Sequence, residues 1–143
     1  MQYTTTGSSE TRTLGQHIAS ECKGGDTLLL EGNLGAGKTT LVKGIAEGLG
    51  IPLPVVSPTF TLLNMYPVAG NTRGIQQLIH IDTYRLETED QLRAIGAEDY
   101  IGDEHTLTII EWPEKLAKLL QGKKTKTIIL KHASGDERSI TIH

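Results

Sequence analysis

The chain has 143 residues and a formal net charge of −3, and 37% of its residues are hydrophobic, which allows a single domain over residues 1–143 with a substantial core. The only cysteine, Cys22, excludes an intrachain disulfide and a cysteine-based metal cluster. The first ten residues lack a basic and apolar leader pattern and no stretch could span a membrane, so we expect a cytoplasmic location.

The N-terminal third predicts a helix, a strand and a second helix. The first helix begins at Ser8 or Ser9 and ends at a Gly-Gly pair, with Cys22 on its apolar stripe and therefore buried. Residues 28–30 form a short apolar run, as expected for a strand covered on both faces. After a glycine-rich loop, apolar residues at helical spacing predict a helix to about Leu49.

The middle of the chain predicts an antiparallel hairpin. Residues 55–56 and Phe60–Met65 have the composition of strands interrupted at Pro58. Residues 67–74 predict a surface turn, and Gln77–Asp82 predicts the returning strand.

The C-terminal third predicts two helices, one strand and a final hairpin. Thr88 and Gln91 form a capping box for a short helix, with Leu92 and Ile95 facing inward. The remaining predicted elements are a strand Leu107–Glu111, a helix that starts at Trp112-Pro113 with Leu116, Leu119 and Leu120 on its apolar stripe, and two strands, Lys126–Lys131 and Arg138–His143.

Residues 27–40, T-L-L-L-E-G-N-L-G-A-G-K-T-T, contain the complete phosphate-binding pattern G-x-x-x-x-G-K-[ST]. Gly35 and Gly37 have no Cβ, so backbone N–H groups in the loop can close on phosphate oxygens. Lys38 would reach the β- and γ-phosphates, and the Thr39 hydroxyl would hold Mg²⁺. Because a buried strand precedes this loop and a helix follows it, the pattern predicts a nucleoside triphosphate site.

A P-loop enzyme also needs a carboxylate at the end of a neighbouring strand to hold the hydrated Mg²⁺. Asp82 and Glu111 both end predicted strands. Hydropathy favours Glu111, since its strand contains no histidine, whereas residue type favours Asp82. Either residue could instead cap a helix or lie in solvent, so both stay candidates.

Three hydroxyl residues surround Pro58: Ser57, Thr59 and Thr61. They could contact a γ-phosphate or its water, or they could only make the turn and strand-end hydrogen bonds that serine and threonine form routinely.

Four further residues stand near the two acids in the sequence. His80 alternates with isoleucines and so faces the other side of its strand, where a structural role is the more frequent one for a lone histidine. Arg85, beside Tyr84, could stabilise a transferring phosphoryl group or form a salt bridge with the acidic segment. Trp112, the only tryptophan, could pack in the core or sense the site or a partner.

Charge is unevenly distributed along the C-terminal half. Residues 82–111 contain nine acids and two arginines, and residues 115–131 contain six lysines and no acid. The two segments could be solvated faces or docking surfaces. The lysine-rich segment has no aromatic residue, which argues against a nucleic-acid-binding face.

Four sequence blocks resemble those of the TsaE family of P-loop ATPases in residue type, order and spacing. The blocks are G-N-L-G-A-G-K-T-T, S-P-T-F-T-L, H-I-D-T-Y-R-L and I-I-E-W-P-E. The resemblance covers nearly the whole chain. It implies an α/β, three-layer fold of the P-loop NTPase type, with a mixed, mostly parallel sheet and antiparallel hairpin additions. It also implies an ATP- and Mg²⁺-dependent accessory protein of bacterial tRNA threonylcarbamoyladenosine biosynthesis. Its partners would be the tRNA threonylcarbamoyltransferase subunit and the dimerisation subunit, with tRNA contacted indirectly or transiently.

The resemblance also implies roles for individual residues. Thr11 would lie near the adenine, Thr39 and Glu111 would hold Mg²⁺, and Asp82 would occupy a Walker-B-like position. Ser57, Pro58 and Thr59 would form a switch-like loop. The residues matching the ATP loop are Gly35, Ala36, Gly37, Lys38, Thr39 and Thr40, and the residues expected to act in hydrolysis are Lys38, Asp82 and Glu111.

Three rival functions are compatible with a P-loop. A GTPase would carry an [NT]-K-x-D tetrapeptide, which the chain lacks, and a small P-loop kinase would bring arginines to a lid, whereas the five arginines here are scattered. A non-catalytic ATP sensor or docking module stays open, since no catalytic base is obvious. We therefore expect hydrolysis to be weak without the partner complex.

Overall fold

The computed structural model describes residues 1–52, 54–58 and 62–143, with the side chain of Asn71 left out. The candidate residues Thr59 and Thr61 lie outside the described residues, as does the first part of the predicted strand Phe60–Met65. The strands are β1 (Gln2–Thr5), β2 (Thr27–Glu31), β3 (Leu63–Thr72), β4 (Ile75–Asp82), β5 (Thr106–Glu111), β6 (Lys126–His132) and β7 (Arg138–Ile142). The helices are α1 (Ser8–Glu21), α2 (Lys38–Gly48), α3 (Asp90–Ala94), α4 (Ala97–Tyr100), a 3₁₀ turn (Pro113–Leu116) and α5 (Ala117–Leu120).

The strands form one seven-stranded mixed sheet in the order β1-β7-β6-β2-β5-β4-β3. The four central strands, β6, β2, β5 and β4, are parallel, and the outer pairs are antiparallel. The predicted mixed, mostly parallel sheet with antiparallel additions is therefore confirmed. Because β2, β4 and β5 run in the same direction, their carboxyl ends meet at one edge, which is where open α/β sheets bind ligands.

Helices cover both faces of the sheet. On one face, α1 and α2 pack over alternate sheet residues such as Leu28 and Leu30. On the other face, α3, α4, the 3₁₀ turn and α5 cover Ile79, Ile81 and Ile110. Each of these five sheet side chains is almost fully buried, a burial that stabilises the fold by about 1.5–3 kcal/mol per side chain. The predicted three-layer arrangement is confirmed, and no described helix is long and apolar enough to cross a membrane.

The contact between α1 and α2 is unusually close because glycines form it. A Cβ atom built on Gly15 would lie 2.6 Å from the carbonyl oxygen of Leu41 and 2.8 Å from the amide nitrogen of Ile45. Gly44 and Gly48, on α2, approach the backbone of α1 in the same way. The helix that follows the phosphate-binding loop is thus held directly against the N-terminal helix.

The predicted surface turn over residues 67–74 is wrong, because β3 continues to Thr72 and only Arg73-Gly74 turns. Pro67 is compatible with this strand because β3 lies at the edge of the sheet and the pairing shifts register after it. The predicted strand at residues 55–56 is also wrong, since this stretch is irregular. Val55 is nevertheless buried in the same core cluster as residues of α1 and α2.

Two further local predictions need correction. Ile95 is 49% exposed because α3 already ends at Ala94, whereas Leu92 is fully buried as predicted. Only half of the capping box forms: the Gln91 side chain accepts hydrogen bonds from the amides of Glu87 and Thr88. The helix itself begins at Asp90 and has no side-chain cap at its N-terminus.

The remaining C-terminal predictions hold. The segment after Trp112 opens as a 3₁₀ turn and continues as a single turn of α helix, with Leu116 and Leu119 buried as predicted. The two final strands form the predicted antiparallel hairpin. Cys22 is buried just after α1, and burial raises the pKa of its thiol to about 11, which suits a packing residue.

Candidate functional site

The glycine-rich loop joins β2 to α2 at the carboxyl edge of the sheet. Gly35 and Gly37 have φ angles of 81° and 101°, in the left-handed region that favours glycine. Gly32 faces a different constraint, since a Cβ there would lie 2.6 Å from the carbonyl oxygen of Leu130 on β6. The glycines of the sequence pattern are therefore needed for backbone conformation and for close packing on the sheet.

A cleft of about 340 Å³ opens above this loop. It brings together most of the residues that the sequence singled out. From the loop and α2 it is lined by Leu34, Gly35, Gly37, Lys38, Thr39 and Thr40, and from elsewhere by Ser57, Asp82, Tyr84, Glu111, Trp112 and Arg138.

Lys38 is 95% buried and lines the cleft. Its Nζ donates a hydrogen bond to the Gly32 carbonyl at 2.5 Å and lies 3.7 Å from the centre of the Trp112 ring, a cation–π distance. Burial lowers the pKa of Lys38, while the Glu111 and Asp82 carboxylates act in the opposite direction. The lysine is thus partly removed from water where it lines the cleft.

Two strand-end carboxylates face this lysine. The parallel register of β4 and β5 places Asp82 directly beside Glu111. Glu111 is buried, and its Oε2 lies 2.7 Å from Nε2 of His80, a histidine with no exposed surface. Asp82 is half-buried and accepts a hydrogen bond from the Tyr84 amide at 3.0 Å. Burial raises the pKa of Asp82, with a smaller upward contribution from Glu111.

His80 fixes the orientation of Glu111. An ionised carboxylate can only accept, so the contacting ring nitrogen must be the donor. Nδ1 of the same ring is buried and has no hydrogen-bond partner among the described residues. The predicted placement of His80 on the face opposite Ile79 and Ile81 is confirmed, and its partner is the strand-end acid of β5.

Trp112 has a left-handed backbone conformation, with a φ angle of 60° that is unusual for a residue other than glycine. Its amide donates to the Leu30 carbonyl at 3.3 Å, and its carbonyl accepts from the Thr83 hydroxyl at 2.5 Å. This conformation turns the indole into the cleft, where it contacts Tyr84 at 5.1 Å between ring centres as well as Lys38. The ring lines the cleft instead of packing in the core.

The segment containing Ser57 approaches the loop from outside the sheet. The hydroxyls of Ser57 and Thr39 lie 3.1 Å apart, so the residue proposed to bind Mg²⁺ contacts the predicted switch-like loop. Thr59 belongs to the part of that loop outside the described residues.

Three predicted residues lie outside the cleft. Ala36 is buried behind the loop. Arg85 lines a separate cavity of about 220 Å³, which shares Leu34, Ser57, Asp82 and Tyr84 with the cleft. Thr11 is buried at the side of another cavity, where its hydroxyl lies 2.8 Å from that of Thr5.

Sequence reasoning missed Arg138 as a site residue. It starts β7, lines the cleft and directs Nη2 at the Gly35 carbonyl, 3.4 Å away. It lies outside every motif, and only the pairing of β7 with β6, next to β2, brings it to the loop. No local sequence signal could have identified it.

The donor set of the cleft fits Mg²⁺ and a nucleotide. Magnesium usually takes one or two protein carboxylates and completes its shell with water and phosphate oxygens. The Thr39 hydroxyl and the Glu111 and Asp82 carboxylates line one side of the cleft. Among residues 1–52, 54–58 and 62–143 no cluster of three or more His, Cys, Asp or Glu could hold a metal by itself, so a metal here would need phosphate ligands as well.

A glycine-rich loop between a parallel strand and a helix, with acids at the ends of adjacent strands, defines the class of P-loop NTPase-like proteins. Within that class the family is clear. The family model described as Threonylcarbamoyl adenosine biosynthesis protein TsaE matches residues 5–140. The chain belongs to the TsaE family, and the resemblance seen in its sequence blocks is confirmed.

Individual relatives agree with this assignment. The tRNA threonylcarbamoyladenosine biosynthesis protein TsaE of Bacillus subtilis strain 168 is 38% identical over 141 residues, which cover 99% of this chain and 84% of the relative. The protein of the same name from Synechocystis sp. strain PCC 6803 is 42% identical over 107 residues, which cover 73% of this chain and 65% of the relative. A crystal structure of Bacillus subtilis YdiB matches with a TM-score of 0.75 and 33% identity, covering 99% of this chain and 83% of that one.

We predict that His80→Phe destabilises the ligand-free chain, because Glu111 would remain buried without its donor. The expected loss is about 1–3 kcal/mol of unfolding free energy, measured by urea denaturation. His80→Gln, whose side-chain amide can still donate to Glu111, should recover part of that loss. Equal stability of the Phe and Gln variants would show that the contact between His80 and Glu111 contributes nothing to stability.

Proposed function

We propose that this chain is an Mg²⁺-dependent ATPase that supports tRNA threonylcarbamoyladenosine biosynthesis. The observation that carries the proposal is the convergence of Lys38, Thr39, Asp82 and Glu111 on one cleft above the glycine-rich loop. The membership of the chain in the TsaE family supports the biosynthetic context. The proposed product pair is ADP and phosphate.

The proposed pose places the triphosphate along the loop. Backbone N–H groups at the N-terminus of α2 favour anions, and the left-handed glycines leave room for phosphate oxygens. In the structure Lys38 binds the Gly32 carbonyl and the Trp112 ring. Neither partner carries a negative charge, whereas phosphate does, so we expect Lys38 to exchange these contacts for ion-paired hydrogen bonds to the β- and γ-phosphates.

The proposed metal site uses Thr39 and Glu111, with Asp82 as the second candidate. Bound there, Mg²⁺ would neutralise charge on the β- and γ-phosphate oxygens. Because Glu111 is buried and oriented by His80, we assign it the direct contact. Asp82 is less buried, so it suits a contact through water.

The proposed partners are the tRNA threonylcarbamoyltransferase subunit and its dimerisation subunit. Two observations support docking at the mouth of the cleft. Leu34 and Tyr84 are 67% and 47% exposed there, which is unusual for large apolar side chains. In addition, Asp82 and Glu111 are the only carboxylates among the described residues that line the cleft, and because both interact with Lys38 neither is free to act as a general base. A partner could complete the site or order the segment around Ser57.

The acidic segment (residues 82–111) and the basic segment (residues 115–131) are weaker candidates for a docking surface than the mouth of the cleft. Nζ of Lys115 donates to the Tyr84 carbonyl at 2.6 Å, and Nζ of Lys123 donates to the Ile101 carbonyl at 3.1 Å. At least two of the lysines thus fasten the basic segment to the backbone of the acidic one.

Lys38→Ala should abolish ATP hydrolysis and weaken ATP binding about 10- to 100-fold, because it removes a charge-assisted contact to the phosphates. Steady-state phosphate release and isothermal titration calorimetry measure the two effects. Lys43→Ala is the matched control, since this exposed lysine lies on the same helix but outside the cleft. Turnover of the Lys38 variant at the wild-type rate would refute the assignment of the cleft.

The two acids can be separated by a magnesium titration. Glu111→Gln keeps an acceptor for His80 but removes the negative charge, so we expect it to raise the Mg²⁺ concentration needed for half-maximal ATP binding more than Asp82→Asn does. Tryptophan fluorescence of Trp112 follows binding without relying on turnover. Should the Asp82 variant alone lose its magnesium dependence, the direct ligand is Asp82 and our choice is wrong.

We expect the isolated chain to hydrolyse ATP slowly and the purified partner complex to accelerate it at least about 100-fold, the lower end of the range that general acid–base assistance supplies, about 10²–10⁴. The comparison uses the same chain with and without the complex at fixed ATP and Mg²⁺. Trp112→Ala should reduce the stimulation, because Trp112 lies between Lys38 and the exposed Tyr84. Equal rates with and without the complex would contradict partner-dependent hydrolysis, and binding of ATP with no turnover in either case would favour a sensor.

A further inference from the structure

Thr83 joins the ends of the two strands that carry the acids of the cleft. It follows Asp82 directly, at the end of β4, and has no exposed surface. Its amide donates a hydrogen bond to the Glu111 carbonyl at 3.3 Å, which continues the contact between β4 and β5 beyond their last paired residues. Its hydroxyl reaches one residue further along the chain and lies 2.5 Å from the carbonyl oxygen of Trp112.

The Thr83 hydroxyl has two carbonyls within reach but only one proton to donate. The carbonyl oxygens of Glu111 and Trp112 lie 3.1 Å and 2.5 Å from it. The Glu111 carbonyl already accepts from the Thr83 amide, whereas the other donor to the Trp112 carbonyl is the Lys115 amide, at 3.4 Å. Because the contact to Trp112 is the shorter one, we assign the proton to it, and this hydroxyl is then the main donor to the Trp112 carbonyl.

This hydrogen bond acts on a backbone conformation that needs support. A φ angle of 60° is costly for tryptophan, and such conformations persist only where the surroundings fix them. The amide of Trp112 is bound by the Leu30 carbonyl and its carbonyl by Thr83, so both sides of the residue are held. The conformation sets the direction of the indole, which contacts Lys38 and Tyr84. Thr83 does not line the cleft, yet it fixes a ring that does.

Two other buried threonines show that packing alone does not require such a bond. Thr27 and Thr108 lie side by side on β2 and β5, almost fully buried, and their hydroxyls have no hydrogen-bond partner among the described residues. The chain therefore tolerates the cost of an unpaired threonine hydroxyl inside the sheet. Thr83 differs from both because its hydroxyl is directed at the backbone of a residue in the cleft.

We propose that Thr83 is a positioning residue, whose hydroxyl holds Trp112 in its left-handed conformation and so keeps the indole against Lys38. The inference rests on the proposed nucleotide-binding function and adds a residue that determines ATP affinity without touching the cleft. Without the hydroxyl, the backbone of Trp112 relaxes and the indole moves away from the lysine. Lys38 then gains side-chain freedom that it must lose again when it binds phosphate, and this lowers the affinity.

The test compares Thr83→Val, which removes only the hydroxyl, with Thr83→Ser, which keeps it. Trp112 is the only tryptophan, so acrylamide quenching of its fluorescence without nucleotide reports how the indole is packed, and isothermal titration calorimetry gives the ATP affinity. We expect Thr83→Val to increase quenching and to weaken ATP binding about two- to tenfold, the effect of one hydrogen bond. Thr83→Ser should restore both. Thr108→Val is the matched control and should alter neither, because that hydroxyl has no partner among the described residues.

A second comparison separates positioning from a general loss of stability. In a Trp112→Ala background, Thr83→Val should cause no further loss of ATP affinity, because the hydroxyl acts through the indole. An equal loss in both backgrounds overturns the proposal, and so does unchanged quenching or unchanged ATP affinity in a folded Thr83→Val variant. These results leave the ATPase proposal intact.

A wild-type chain that binds no ATP contradicts the proposed function and, with it, the effect of Thr83 on affinity. Thermal unfolding shows whether each variant is folded, and Thr83→Ala carries the test if Thr83→Val is not folded.

Discussion

The parallel pairing of β4 with β5 places Asp82 and Glu111 side by side, and the rest of the site depends on that pairing. Two neighbouring carboxylates repel each other, and burial increases the cost of their charge. Lys38 faces both acids, and His80 donates to one of them. The core on either side of the sheet holds this register, since a slip of one residue would turn both acids away from the loop.

The cleft holds its lysine in place with contacts to uncharged groups. Lys38 rests between the Gly32 carbonyl and the Trp112 ring, neither of which carries a full negative charge. The indole can occupy this position only because the backbone of Trp112 takes a strained, left-handed conformation, a cost of about 1–3 kcal/mol. Hydrogen bonds from Thr83 and to Leu30 maintain it. Lys38 is therefore held at the position of the proposed phosphate contact.

Sequence reasoning predicted the parts of the site that follow from local pattern. The loop was identifiable because glycine, lysine and threonine have fixed offsets there, and the two acids because both end apolar strands. Two features depend on which strands pair, and no local pattern encodes that pairing. They are the last part of the strand ending at Thr72, which was predicted as a turn, and the position of Arg138. Our proposal that Glu111, and not Asp82, is the direct magnesium ligand rests on burial, a tertiary property that the sequence does not give.

The glycine contact between α1 and α2 bears on how variation in this protein should be interpreted. Gly15, Gly44 and Gly48 touch no part of the cleft, yet any side chain on Gly15 would meet the backbone of the helix that follows the phosphate-binding loop. In a deep mutational scan these positions should be as intolerant as the loop itself, and on a conservation map they would resemble a second active site. Only separate measurements of the abundance and the activity of each variant would show that these glycines are needed for helix packing and not for the reaction.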